Sequence, residues 1–507
     1  MIDFLLGLLP IIWLAFALMG LKWPAYKAAF GSLVLSAVLA VLRWHMGIAD
    51  MAAAGVEGFL MALWPIIIVI LAAVFTYRVS LKTGGMDVIK QMITSVCSDS
   101  RVLVLLIAWC FGGFMEGMAG FGTAVAIPAS MLVSLGFDPL FSCLVCLIAN
   151  GVPTPFGSIG IPTVTLANLL SLENAQLSFV TSMQEALFVM LCPILIVMVT
   201  GHGLKGMKGV VGITIASGLS FIVPQILVSK FIGAELAVII GSVCSLLVTV
   251  ILGSKKKPDP EFAMEVKEKT PLSLNACLKA WSPFILIFVF LLLTSKLVMP
   301  VYSFLAQFSS KVTVYTGENP GSLTFSWINT PGVWIFLSAL IGGTIQGARA
   351  SDFAICLKET LLQMKETMIT MLCVLGCAKI MGYSGMISSI AAFAISATGA
   401  FYPIFAPWIG ALGTFVTGSG TNSGVLFGGV QMQAADSLQV DPYWMVSLNS
   451  LGVAAGKMMS PQSLAIALAS INGKGKDSEL MGKIMPYALF FLVLMSLLAY
   501  FGTKIFG

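Results

Sequence analysis

Apolar stretches of about 17–22 residues recur from Phe4 to Tyr500, and at about 1.5 Å per residue each is long enough to cross a hydrocarbon core of about 30 Å. About twelve spans are readable, near 3–21, 28–43, 58–78, 139–171, 186–200, 209–229, 233–253, 281–299, 331–348, 366–382, 443–470 and 485–503. Of the 507 residues 58% are hydrophobic and 10% charged, where a soluble domain carries roughly a quarter charged residues. A soluble fold has no means of hiding that much apolar surface, so the chain reads as a polytopic membrane protein. The first stretch has only Asp3 before it, with no basic region and no small-residue cleavage site, and is expected to stay in the membrane.

The same composition excludes other classes. Cys143 and Cys146 stand in CxxC spacing but inside an apolar segment, so they read as small packing residues. Two histidines, His45 and His202, leave no zinc motif, and both read as loop residues. No Ser/His/Asp order accompanies the glycine-rich turns, so an enzyme is not expected, nor a cofactor or metal. The net charge of +5 implies no nucleic-acid partner, because the basic residues fall in loops.

Those loops set the orientation. With the N-terminus outside, the inner side collects Lys22, Lys27, Arg78, Lys82, Lys90, Arg101, Lys205, Lys208, Lys255, Lys256, Lys257, Lys267, Lys269, Lys279, Arg349, Lys358, Lys365, Lys474, Lys476 and Lys483. The outer side keeps Arg43, Lys230, Lys296, Lys311 and Lys504, which places both termini outside under the positive-inside rule. Two segments, 102–135 and 402–437, fit this count when read as re-entrant hairpins, because each has a Gly-rich centre that a spanning helix avoids. A polar stretch with Pro258, Pro260 and Pro271 divides the chain as a cytoplasmic linker over 254–280, between membrane halves 1–253 and 281–507.

The halves repeat. KTGGMDVI at 82–89 lines up with GYSGMISSI at 382–390, and FMEGMAGFG at 114–122 with FVTGSGTNS at 415–423. Asp138-Pro139 answers Asp441-Pro442, and Asn150 answers Asn449. In the topology above the first hairpin opens from the cytoplasm and the second from outside, so the repeats are inverted. The expected fold is an all-α polytopic membrane protein of about 12 transmembrane helices plus two re-entrant hairpins, in two inverted repeats with broken helices. This is secondary-transporter architecture, with the site near the midplane at the repeat interface.

Four segments carry the chemistry. Glu116 lies among Gly112, Gly113, Gly117, Gly120 and Gly122; the glycines alone fit tight helix packing, but a carboxylate at that depth costs about 2.5–3.5 kcal/mol to insert and needs a partner or a task. NGVPTPFGSIGIP at 150–162 holds Asn150, Gly157, Ser158 and Gly160 among prolines that no continuous helix survives. Its unwound backbone is tolerable only against protein or a water-filled cavity, and half-helix N-termini suit an anion. TGSGTNSG at 417–424 presents Ser419, Thr421 and Asn422 as donors, and GKMMSPQS at 456–463 presents Lys457 beside a break at Ser460, Pro461 and Gln462. Lys457 fits either anion binding or a snorkelling anchor. Lys379 and Arg78 read as interfacial anchors, and Asp138 and Asp441 as helix-start residues.

At these segments the chain resembles the lactate permease family of proton-linked monocarboxylate transporters. The matching runs are LWPIIIVILAAVFTYRVSLKTG at 63–84, FGGFMEGMAGFGTAVAIP at 111–128, FGSIGIP at 156–162, LGTFVTGSGTNSGVLFGGVQ at 412–431 and GKMMSPQSLAIA at 456–467. The resemblance runs from about Phe16 to Tyr500 and implies uptake of L-lactate, and usually D-lactate and glycolate, with a proton across a bacterial cell (inner) membrane. Family members commonly read TGSDTSSN at the second hairpin, so Gly420 lacks a carboxylate and Gly424 an amide; Thr154 and Pro155 also replace a more usual small apolar pair.

Together these readings give a carrier of small 2-hydroxymonocarboxylates. Lys457 and the broken-helix dipoles attract the carboxylate, Ser419, Thr421 and Asn422 with the backbone at 157–160 orient it, and Glu116 carries the proton. The partners are a small organic acid, a proton and the lipid bilayer. The rivals are a channel, which a test for saturable counterflow would distinguish, and a sodium-coupled organic-anion carrier using Ser158 or Ser423.

Overall fold

The computed structural model describes residues 2–120, 122–264, 273–295, 297–317, 322–471, 473 and 476–506; Lys267, Lys269, Pro271, Lys296 and Lys474 lie outside them. Against about twelve expected spans, nine helices among the described residues are long and apolar enough to cross a bilayer, or ten when one bent pair counts as a single span. Several of the other expected spans are shorter helices, such as Ala237–Gly253 with 17 residues and Pro331–Gln346 with 16, about 25 Å long at 1.5 Å per residue. Helix Met386–Thr398 was not expected. The all-α expectation also needs correcting, because Ser309–Val312 pairs antiparallel with Leu323–Ser326 in the loop before Pro331.

Each half runs through the same elements in the same order. A 35-residue helical run, Ile48–Lys82 or Ala350–Ser384, ends at a left-handed glycine, Gly84 (φ 77°) or Gly385 (φ 89°). A short helix follows, Gly85–Thr94 or Met386–Thr398. Next comes a helical hairpin, then a helix whose N-terminus is capped by an aspartate, then a break. Asp138 accepts from Phe141 N at 2.8 Å and Asp441 from Trp444 N at 2.9 Å, satisfying donors that a helix start leaves open.

In the first hairpin the run Ser100–Met118 is followed, after Ala119 and Gly120, by the returning limb Thr123–Ser134. The limbs lie side by side, with Gly112 against Ala124 and Pro128. Its first limb is wholly enclosed by protein. Trp109 packs on Phe221 with ring centroids 4.7 Å apart, and Phe114 on Trp281 at 5.0 Å. Gly113 and Gly117 let Phe221 and Ile239 approach, so here the small residues do serve packing. In the second hairpin Tyr402–Thr417 turns at Gly418 and Ser419 into Gly420–Leu438. Ser423 Oγ donates to Gly410 O at 2.7 Å and Tyr402 Oη to Gln431 Oε1 at 3.0 Å, tying its limbs together.

The first broken span, Pro139–Gly151 with Thr154–Leu170, bends by 63°. Ser158, Ile159 and Gly160 stand consecutively in left-handed backbone, a conformation that costs a side-chain-bearing residue about 1–2 kcal/mol. The second, Pro442–Met459 with Pro461–Ser470, breaks at Ser460, whose Oγ accepts from Ser463 N at 3.1 Å.

Arg78 and Lys379, read as interfacial anchors, make ion pairs across the two long helices. Lys379 Nζ lies 2.9 Å from Glu57 Oε1, and Arg78 pairs with Glu359. Fully buried Arg101 gathers three loops: it pairs with Asp99 and with Asp259, and donates to the carbonyls of Gly206 and Lys208. Its guanidinium also sits 4.0 Å from the ring centroid of Phe262.

Candidate functional site

Both hairpin tips and both helix breaks converge on one cavity of about 370 Å³. From the first half, Glu116 reaches it from the end of the first hairpin limb, beside Gly157 and Ser158 of the first break. Glu116 is 3% exposed, and its Oε2 accepts from Asn150 Nδ2 at 2.7 Å. Gly157 lies so close that a Cβ there would overlap Glu116 Oε1. Ser158 Oγ donates to Ala119 O at 3.0 Å, tying the break to the hairpin tip. Thr163 Oγ1 donates to Pro155 O at 2.7 Å, serving one carbonyl that the break frees.

The second half supplies the cation and most of the free donors. Lys457 is 8% exposed and donates from Nζ to Gly418 O at 3.0 Å. It therefore points at the tip of the second hairpin rather than snorkelling towards an interface. The N-terminus of helix Gly420–Leu438 opens on the cavity, with Ser419 as its cap accepting from Asn422 N. The free end of a helix carries partial positive charge and unpaired N–H groups, both suited to an anion. Asn422 Oδ1 is buried and has no hydrogen-bond partner. Glu116 and Lys457 form no ion pair within 4.0 Å, so a positive and a negative group face the same space without closing it.

Of the residues singled out from sequence, Glu116, Gly157, Ser158, Ser419, Thr421, Asn422, Lys457 and Gln462 line this cavity. Three do not. Asn150 stands behind Glu116 as its hydrogen-bond donor. Gly160 is pressed against the backbone of Ala234, and Ser460 is fully buried as a helix cap. The opposite wall was missed: Gln363, Glu366, Thr367 and Thr370, on the long helix Ala350–Ser384. Gln363, Thr367 and Thr370 fall at i, i+4 and i+7, a polar stripe on a spanning helix that could have been read as pore-lining. Thr154 and Thr417 also line it. A larger groove of about 700 Å³, lined chiefly by Trp13, Trp23, Phe30, Val34 and Val38, suits hydrocarbon rather than an anion.

A family model for L-lactate permease matches residues 3–506. The chain belongs to the L-lactate permease family. It is 44% identical to an L-lactate permease of Streptococcus iniae over 88% of this chain and 94% of the relative. It is 33% identical to an L-lactate permease of Escherichia coli K12 over 97% of this chain and 94% of the relative. A glycolate permease of the same bacterium is 31% identical over 99% of this chain and 96% of its own length. Family membership makes this protein a transporter of small organic acids and not an enzyme, a multi-pass protein of the bacterial cell (inner) membrane.

Proposed function

We propose that the protein takes up L-lactate and related 2-hydroxymonocarboxylates, D-lactate and glycolate among them, by proton symport. The observation that carries this reading is that Lys457 and Glu116 line one cavity of about 370 Å³ without a salt bridge between them. A hydroxy acid offers one charge and one hydroxyl. Lys457 and the helix start at Gly420 attract the carboxylate, while Ser419, Thr421, Asn422 and the exposed backbone at Gly157 and Ser158 orient the hydroxyl. Glu116, held by Asn150, takes the proton. One proton with one monoanion moves no net charge, so transport responds to pH more than to voltage.

The halves 1–253 and 281–507, joined by the linker 254–280, form in this reading two repeats of opposite orientation that rock or slide to open the cavity to either side. The repeated element order supports it, as do the two ion pairs that join the long helices at their opposite ends.

Uptake of radiolabelled L-lactate into proteoliposomes with an imposed inward proton gradient tests the proposal. Accumulation that an uncoupler abolishes is the expected result; accumulation that survives the uncoupler but disappears when choline replaces sodium would overturn proton coupling. The sodium alternative has less support at Ser423, which is fully buried within helix Gly420–Leu438 and does not line the cavity.

A further inference from the structure

A second pocket, of about 340 Å³, lies at the Lys379 end of the molecule, lined by Lys379, Tyr383, Ser388, Leu169, Gly429 and Gln433 among others. Three elements line both this pocket and the central cavity. On the first broken span the central cavity ends at Pro162 and the outer pocket begins at Leu169. On the second hairpin the same limits are Asn422 and Gly429, and on the long helix Ala350–Ser384 they are Met371 and Ala378, with Ile466 and Gln462 bordering only the central side. Each interval is two helical turns, about 10 Å. A barrier of equal thickness on all three walls separates two spaces that lie along one line.

The barrier is thin. Leu166 is 1% exposed and lies against Gly424 and Gly428, on successive turns of the second hairpin. A Cβ on Gly428 would overlap Leu166 Cδ1, whereas one on Gly424 would lie 3.8 Å from it. The central cavity is the one open to the basic, inner side, since it is also lined by Pro24, Tyr26 and the exposed Glu366.

The two ends differ in how their lysines are held. Lys379 is neutralised by Glu57, which also accepts from Tyr383 Oη at 2.8 Å. Lys457 hydrogen-bonds to the Gly418 carbonyl and faces Glu116 across the cavity without a salt bridge. The Lys379 ammonium is closed off by its ion pair at 2.9 Å, whereas the Lys457 ammonium faces the central cavity.

We propose that the Lys379 pocket is the outer vestibule for the organic acid and that Leu166, seated on Gly424 and Gly428, is the outer gate, closed in this inward-open state. The proposal rests on the transport reading above and names the path to its site. Membrane-impermeant maleimide labelling of single added cysteines tests it, with the native protein as background. Gln433→Cys is expected to label from the outer face. Thr421→Cys is expected to label from the cytoplasmic face about tenfold faster than from outside, since the alternative state is at most about a tenth populated. Adding Leu166→Ala to Thr421→Cys is expected to remove most of that difference by raising the outer rate. Retained labelling from the cytoplasmic face shows that the variant is folded, and Leu166→Val gives the same change in smaller degree. Outer labelling of Thr421→Cys unaffected by either change, or Gln433→Cys reached only from the cytoplasm, overturns the gate. Because labelling needs no substrate, it stands apart from the lactate assignment, which is read separately by whether L-lactate slows labelling of Thr421→Cys from the cytoplasmic side.

Discussion

Glu57 and Lys379, one on each 35-residue helix, meet at 2.9 Å, and the same two helices are joined near their other ends by Arg78 and Glu359. The helices therefore run antiparallel. Glu57 and Glu359, and likewise Arg78 and Lys379, stand about 300 positions apart, and each carboxylate of one long helix holds the cation of the other. The pairs differ in burial: Glu57 is 1% exposed and Glu359 51%. Removing the partner of a buried charge costs about 3–5 kcal/mol, whereas an exposed pair contributes about 0–1 kcal/mol. Lys379→Met is therefore expected to lower the thermal midpoint of the purified protein clearly more than Arg78→Met, measured by thermal unfolding in detergent. Equal shifts would mean that Glu57 finds other compensation.

Glu116→Gln keeps an oxygen to accept from Asn150 Nδ2, so the variant retains the local geometry and loses only the titratable proton. It is expected to exchange lactate across the membrane in counterflow while failing to accumulate it against a pH gradient. Accumulation by Glu116→Gln at the wild-type level would remove Glu116 from proton coupling.

Lys457 is the cation whose only hydrogen bond goes to a neutral carbonyl, so its charge is available to a substrate. Charge-assisted hydrogen bonds contribute about 1.5–3 kcal/mol, which makes Lys457→Gln a loss of about 10- to 100-fold in apparent affinity. The KM for L-lactate uptake measures it. A KM unchanged, with only the maximal rate lowered, would make Lys457 a prop for the hairpin tip.

At the inner face, Asp259 accepts from Arg101 Nη2, and this hydrogen bond, with help from Lys256, holds its carboxyl below the usual carboxylate range. A depressed folded-state value means stability that is fully present above the ordinary aspartate range and is lost as pH falls through the lower, folded value. Between pH 5 and 8 the thermal midpoint is expected not to change on this account. Asp259→Asn is expected to remove part of the steep loss below the ordinary range while leaving the neutral-pH midpoint close to wild type, because Asp259 is 43% exposed. Arg101→Ala is the severe change: it strands the fully buried Asp99, at about 3–5 kcal/mol.

Much of this arrangement is legible in the sequence because breakers and buried charges are local signals. Proline and glycine density at 150–162 and 417–424 marks the breaks whatever surrounds them, and Asp138 and Asp441 before proline mark two helix starts. What stays illegible depends on partners distant in the chain. Nothing near Lys379 distinguishes an anchor from a buried pair until Glu57 is brought beside it. Gly160 resembles Gly157 in sequence, yet one packs on Ala234 and the other borders the cavity. The polar stripe Gln363, Thr367 and Thr370 was hidden by the charged Lys365 and Glu366 between, which made that stretch look like a loop end.

Gly420, where the resemblance leads one to expect an aspartate, sits at the second hairpin tip beside Thr154. A Cβ on Gly420 would lie 2.7 Å from Val453 Cγ1 and 3.1 Å from Thr154 Cγ2. Thr154 is the other position at which the resemblance leads one to expect a different, smaller apolar residue. The threonine methyl occupies part of the room that an aspartate at 420 would need. Gly420→Asp alone is therefore expected to depress lactate uptake several-fold, since it must displace a packed valine at a helix start where the site binds its anion, and it adds a negative charge there. Thr154→Ala in the same chain is expected to recover part of the loss by relieving the contact. Recovery read as maximal rate with KM still raised assigns the remaining deficit to charge repulsion. No recovery at all would mean that Val453 sets the fit and that the two departures are unconnected.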